Sequence, residues 1–419
     1  MTSTPAIDDR LRSIVGAEHA RAANSDDSIA GVNASLVVSP GNEGEVAEVL
    51  ACANETGLAV VPRGGGTKLR WGNPPKRADV LLSLQRLDHV IEHAWADLTV
   101  AVEAGCTMKQ LQETLSRHGQ RVALDSLWPA NATVGGVLST NDSGLLRLRY
   151  GALRDLIIGV TIALPDGTLA TSGGKVVKNV AGYDLPKLVT GALGTLGVIT
   201  RAIFRTHPLS RECLTLTFPA SDPESLQAKV LAIQNSQLAH TALQIRRPSL
   251  GSLEVDILFE GRAAGLQAQE KQLQALLGSP AAQTSDANPW SAREQLWNDA
   301  HADSVIAKVV VLPSMLAATF RNLERTEASS KFASTTVMQA TGIGSIRLDG
   351  TASTLQAGVA AIREFSEAKG GSLVVLHSTH AHGIECWGRP ADALALMRAL
   401  KQQFDPKATL NPGRFVGGI

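Results

Sequence analysis

Val46, Val49, Leu50 and Ala53 recur at the i, i+3, i+4, i+7 spacing of one helix face, and Gly57 follows as a stop. The spacing predicts a helix, flanked by short apolar strands at Leu36–Val38 and Leu58–Val61, together a βαβ unit. Further strands are expected at Val80–Ser83 and Thr99–Glu103. A second helix is opened by the Thr107 and Gln110 capping pair and closed by Gly119. Residues 1–35 mix Ala, Asp and Asn without strand periodicity and read as a lead-in helix and loop, in which no site is expected.

Beyond a Pro-containing turn at His207–Ser210 the pattern changes. Strands are predicted at Leu214–Phe218, Ala242–Arg246, Leu253–Glu260, Val305–Leu312, Ser345–Asp349 and Leu373–Ser378. Helices are predicted at Pro223–Asn235, Ala263–Leu277, Met315–Glu324, Ser353–Lys369 and Ala391–Gln403, with a long surface loop over Gly278–Ser291. This alternation suggests an α+β domain of antiparallel sheet backed by helices.

The chain has 419 residues, enough for two or three packed units. Its 39 Lys and Arg balance 39 Asp and Glu, so no global field recruits nucleic acid or an anionic membrane, and a charge-driven site must be local. The start, MTSTPAIDDR, lacks the basic and apolar run of a secretion signal. The longest apolar stretches, Val309–Leu312 and Leu373–Leu376, are far short of the roughly 18 residues of a membrane span, and a cytoplasmic protein is expected. Four scattered cysteines with no C-x-x-C spacing predict free thiols, with no zinc site or disulfide framework.

The sharpest chemical feature is Val60-Val61-Pro62-Arg63-Gly64-Gly65-Gly66-Thr67-Lys68, a strand running into three glycines. Glycines there let successive N–H groups turn toward one point, an anion-binding nest. Between Thr56 and Ala78 stand five basic residues and no acidic one, the environment a pyrophosphate needs. A flexible turn accounts for the glycines equally well. Gly174-Lys175 is followed by Val176, with Leu169 where a phosphate-binding loop has its first glycine, and Gly191, Gly194 and Gly197 do not have G-x-G-x-x-G spacing. Nucleotide binding of those two kinds loses its support. Two more Gly-rich segments, Trp128–Gly144 and Gly173–Ile199, would let backbone approach a flat ligand, although each alone is more often packing or a turn.

Taken in order, PRGGGTK, TVGGVLSTNDSG, the Tyr150-Gly151 and Arg154-Asp155 pairs, GTLGVIT and FDPKATLNPGRF resemble the FAD-linked oxidases of the vanillyl-alcohol oxidase type. Within that family, KNVAGYDLPKLVTGALGTLGVI is most similar to the smaller FAD-binding E subunits of bacterial glycolate oxidases. The resemblance implies an α+β protein with a two-part FAD-binding domain (PCMH-type) at 36–208, a cap at 209–404 and a return to the FAD domain at 405–419. It implies FAD on Arg63, Gly64, Gly65, Gly66, Thr67, Lys68, Thr133, Gly135, Gly136, Ser139, Asn141, Gly197, Val198, Ile199 and Asn411. In relatives the cap forms one wall of the substrate pocket. Non-covalent FAD is expected, because Thr67 stands where tethering relatives have histidine and Leu127–Pro129 contains no cysteine.

Oxidising a 2-hydroxy acid needs a base for the hydroxyl and a cation for the carboxylate. The cap cluster His377-Ser-Thr-His380-Ala-His382 does not reproduce the histidine-rich metal motif of large relatives. His377 and His380 are the candidate catalytic groups, against a polar loop beyond a strand, and no metal site is expected. The implied function is that of an FAD-binding subunit oxidising glycolate to glyoxylate beside a larger FAD-linked catalytic subunit and an iron–sulfur subunit, peripheral to the inner membrane through those partners. A stand-alone dehydrogenase of another 2-hydroxy acid or a sugar acid, and a non-catalytic assembly subunit, remain alternatives.

Overall fold

The computed structural model describes residues 4–175, 183–249, 252–278, 282–283, 288–379, 383–390 and 392–419. The chain divides into two units, one of Met1–Gly144, Tyr150–Leu209 and Pro390–Ile419, the other of Leu145–Arg149 and Ser210–Arg389.

In the first unit Asn42 caps the helix Glu43–Thr56 by accepting the Glu45 N–H at 2.9 Å, and Gly57 ends it at φ 73°. The strands on either side, Leu36–Val38 and Val60–Arg63, do not pair with each other. Both run parallel to Val80–Ser83, which lies between them. Val80, Leu81 and Leu82 are apolar in succession, as suits a strand buried on both faces. The lead-in forms the helix Thr4–Val15, whose Leu11 and Val15 enter the core beside Val46, Val49 and Leu50. It also contributes the strand Ala20–Ala22, antiparallel to Leu36–Val38, where the sequence suggests only loop.

A five-stranded antiparallel sheet follows, in the order Val90–Ala94, Thr99–Glu103, Val198–Arg205, Ile157–Ala163, Leu169–Gly173. Val90–Ala94 escapes sequence reading because it is an edge strand with Glu92 and His93 in a mostly solvated row. The helix Leu394–Phe404 lies in this first unit, a correction to the cap boundary at 404. Its physical reason is the burial of Lys401, whose ammonium reaches the backbone of Thr195 and Leu410. Leu410 then bridges Val60 in parallel, which brings the C-terminal tail to the strand that leads into the glycines.

The second unit is built on eight antiparallel strands, ordered Ala282–Gln283, Glu212–Ala220, Leu253–Gly261, His240–Arg247, Ala333–Gln339, Ile343–Asp349, Ser304–Val310, Ser372–His377. Alternate residues such as Leu216, Ile245, Val255 and Ile346 form one core with the inner faces of helices Pro223–Gln234, Ala263–Leu277, Leu316–Ser330 and Ala352–Ala368. The Ser- and Thr-rich strand Ala333–Gln339 is invisible to an apolar pattern search. The expected loop Gly278–Ser291 contains the edge strand Ala282–Gln283 and a single turn at Pro289–Ser291, while 279–281 and 284–287 lie outside the described residues.

Candidate cofactor cleft

Strand Val60–Arg63 delivers Gly64, Gly65 and Gly66 against the segment Asn131–Thr133 so closely that two of the three admit no side chain. A Cβ on Gly64 would lie 2.0 Å from Thr133 Oγ1, and one on Gly65 1.7 Å from the Asn131 carbonyl oxygen. Gly66 is required for a different reason, its φ of 74°. Among the described residues no acceptor meets the N–H groups of Gly64, Gly65, Gly66 or Thr67.

On the facing side Thr133 caps the helix Val134–Thr140, its Oγ1 accepting the Gly136 N–H at 3.4 Å. Gly135 packs on Ala104, where a Cβ would come within 2.9 Å. The Asn411 Nδ2 donates to the Leu193 carbonyl at 2.7 Å, and its N–H donates to the Val60 carbonyl at 2.9 Å, which ties the tail to both halves of the unit.

These segments line one cleft. Of the residues singled out from sequence, Arg63, Gly64, Gly65, Gly66, Thr67, Lys68, Thr133, Gly135, Gly136, Ser139, Gly197, Val198, Ile199 and Asn411 all line it. Asn141 does not. It ends the helix Val134–Thr140 in the left-handed region at φ 48°, next to Gly191. Pattern reading passed over Arg414, a buried lining residue whose guanidinium donates to the carbonyls of Leu69 at 2.5 Å and Trp71 at 2.8 Å. The signal for it is the NPGRF motif, of which the resemblance assigns only Asn411 to the cofactor.

Charge in the cleft differs from the local count. Lys68 is buried with its ammonium 3.1 Å from Asp142 and donating to the Leu127 carbonyl at 3.3 Å, over the Trp128 and Trp71 rings. Arg63 donates to Asp27 at 3.0 Å, and Arg77 pairs with Asp79 at 2.8 Å. All three acids lie outside the window from Thr56 to Ala78, so the basic stretch is largely balanced in space.

The cleft therefore suits an extended diphosphate: unengaged amides, side-chain-free approach and cations already set in place. His377 ends the strand Ser372–His377 in the second unit, its ring 6.0 Å from that of Trp297, while His380 and His382 lie outside the described residues. So does most of the KNVAGYD stretch. No helix among the described residues is long and apolar enough to cross a membrane.

Residues 34–173 match the FAD binding domain family, and residues 256–415 match the C-terminal domain of FAD linked oxidases. The chain is 36% identical over 204 residues to D-lactate dehydrogenase of Archaeoglobus fulgidus, covering 48% of this chain and 45% of that protein. It is 34% identical over 172 residues to glycolate oxidase subunit GlcD of Bacillus subtilis, covering 41% of this chain and 37% of that protein. The chain thus spans less than half the length of these relatives. Among solved structures, p-cresol methylhydroxylase superposes with a TM-score of 0.76 at 15% identity, covering 98% of this chain and 96% of that one. Alkyldihydroxyacetonephosphate synthase superposes at 0.74 with 16% identity, covering 99% and 86%. The fold is that of these solved structures, an α+β architecture.

Proposed function

We propose that this chain, which belongs to the FAD-linked oxidases and takes FAD as its cofactor, oxidises a small 2-hydroxy acid as one subunit of a glycolate oxidase. The carrying observation is the row of amides at Gly64–Thr67 that meet no acceptor among the described residues, set where no side chain intervenes. In this reading the amides and the Arg63 guanidinium bind the diphosphate. The backbone of Gly135, Gly136 and Gly197–Ile199 lies along the rest of the cofactor, and Asn411 and Arg414 close the cleft from the C-terminal side. FAD, when bound, accepts the hydride of alcohol oxidation. The FAD is held without a covalent bond: Thr67 offers no tether, and no cysteine is among the residues that line the cleft.

Glycolate as substrate rests on the likeness to GlcD, and the working partners would be a larger FAD-linked subunit and an iron–sulfur subunit. The likeness to D-lactate dehydrogenase favours a second reading, a stand-alone dehydrogenase of another 2-hydroxy acid. Anaerobic mixing of the purified yellow chain with glycolate separates them. Bleaching only when the partner subunits are added supports the subunit reading, and bleaching by D-lactate or another 2-hydroxy acid with the chain alone supports the second. A chain purified without flavin, and unable to take up added FAD, would overturn both.

A further inference from the structure

Asp27 belongs to no motif, yet it joins the lead-in to the glycine loop. It is 3% exposed and accepts four N–H bonds: from Arg21 Nη1 at 2.7 Å, Arg21 Nη2 at 3.1 Å, Arg63 Nη1 at 3.0 Å and the Asn24 backbone at 3.0 Å. Strand Ala20–Ala22 pairs with Leu36–Val38 in the sheet that also contains Val60–Arg63, so this carboxylate is fixed relative to the loop. One carboxylate faces two guanidinium groups, and the cluster keeps a net positive charge. Arg63 spends one of its five N–H groups on Asp27, and its guanidinium meets no other acceptor among the described residues. The same residue lines both the cleft and an adjoining hollow bounded by Arg21, Asp26, Asp27 and Arg70.

We infer that Asp27 is a positioning residue for the FAD diphosphate, acting through Arg63. The inference rests on the proposed seat of the diphosphate at Gly64–Thr67. An unrestrained arginine must give up its rotamer freedom when it grips an anion, whereas a guanidinium already held by one bond loses less and keeps its other donors for the ligand. The consequence is opposite to that of simple Coulomb repulsion. A carboxylate near a diphosphate should weaken binding, so a charge account has Asp27→Asn tightening FAD, while positioning has it loosening FAD.

The test is titration of the flavin-free chain with FAD, followed by flavin fluorescence, for the parent, Asp27→Asn, Arg63→Gln and the double variant. The expected result is a Kd raised about fivefold by Asp27→Asn, a similar or larger rise for Arg63→Gln, and no further rise in the double variant. An unchanged or lower Kd in Asp27→Asn overturns the inference, as does a fivefold effect that persists in full in the Arg63→Gln background. Should Asp27→Asn fail to fold, Arg63→Lys decides, since it keeps the charge and gives up the fork held by Asp27. Weakening equal to that of Arg63→Gln supports positioning, and parental affinity overturns it. Gly65→Val reports on the underlying reading: retention of FAD by that variant overturns the loop as diphosphate seat and this inference with it, whereas parental affinity in Asp27→Asn overturns the inference alone.

Discussion

A methyl group on Gly65 would sit 1.7 Å from the Asn131 carbonyl oxygen, a contact that cannot be relieved by a rotamer change because the neighbour is backbone. The larger side chain of Gly65→Val must therefore push the loop off the Asn131–Thr133 segment, and the purified variant is expected to show no flavin absorbance. Of the three glycines only Gly66 has the left-handed backbone that favours glycine. Close approach, which depends on a segment more than sixty residues away, could not be read from the triplet itself. The same holds for charge, since the acids that meet Arg63 and Lys68 come from Asp27 and Asp142.

Hydrogen bonds from Arg21, with smaller contributions from Asn24 and Arg63, hold the Asp27 carboxyl well below the usual carboxylate range against the opposing effect of its burial. A depressed folded-state pKa stabilises the fold above the unfolded value of about 3.9 and loses that stabilisation as pH falls through the folded value. The melting temperature of the parent should therefore drop more steeply than that of Asp27→Asn as pH is taken from about 5 toward 3. Parallel slopes would argue against this linkage. Free chemistry at Thr67 gives a further expectation at this scale: acid precipitation should leave the flavin in the supernatant, and a yellow pellet would refute non-covalent binding.

Among the elements, helix Leu394–Phe404 has an importance that its amphipathic pattern does not announce. Lys401 donates to the Thr195 carbonyl at 2.8 Å, the Leu410 carbonyl at 2.9 Å and Asp405 at 2.6 Å, while Asp405 also accepts the N–H groups of Thr409 and Leu410. Burial lowers the Lys401 pKa, and the neighbouring Asp405 opposes that shift. One ammonium thus joins the GTLGVI turn to the tail that carries Asn411. Lys401→Ala leaves Asp405 buried without its cation, and should cost about 3–5 kcal/mol in urea unfolding along with weaker FAD retention. A loss below about 1 kcal/mol would show that the lock is dispensable. Periodicity found the longer helices and most strands of the second unit, whose apolar faces are continuous, but not Ile157–Ala163 and Val198–Arg205, two inner strands of the five-stranded sheet. It missed Val90–Ala94, Ala20–Ala22 and Ala333–Gln339, where the sheet edge or hydroxyl-bearing residues break the pattern. The ordered motifs made most of the cleft legible, since glycine and small polar residues recur wherever backbone meets backbone. Arg414 and Asp27 were not legible, because their roles arise from partners brought together only by the fold.

At the scale of the whole molecule, the first unit is assembled from three stretches of chain and the second from two, of which the larger, Ser210–Arg389, is inserted between the last two stretches of the first. Lys401, Leu410, Asn411 and Arg414 all follow the insertion, so a chain ending at Arg389 should purify without flavin, and flavin retention by it would remove the tail from the site. In the proposed reading the second unit governs what the isolated chain can oxidise. Its histidine cluster differs from the metal motif of large relatives, and His377 lies against Trp297. A cleft competent to hold FAD, joined to a cap without that motif, is expected to give a flavoprotein that glycolate alone barely reduces and that turns over only beside its partner subunits. Stopped-flow mixing of the isolated chain with glycolate and with D-lactate checks this. Rapid reduction by either acid, abolished in His380→Ala, would instead locate the missing base in this chain and make it a dehydrogenase in its own right.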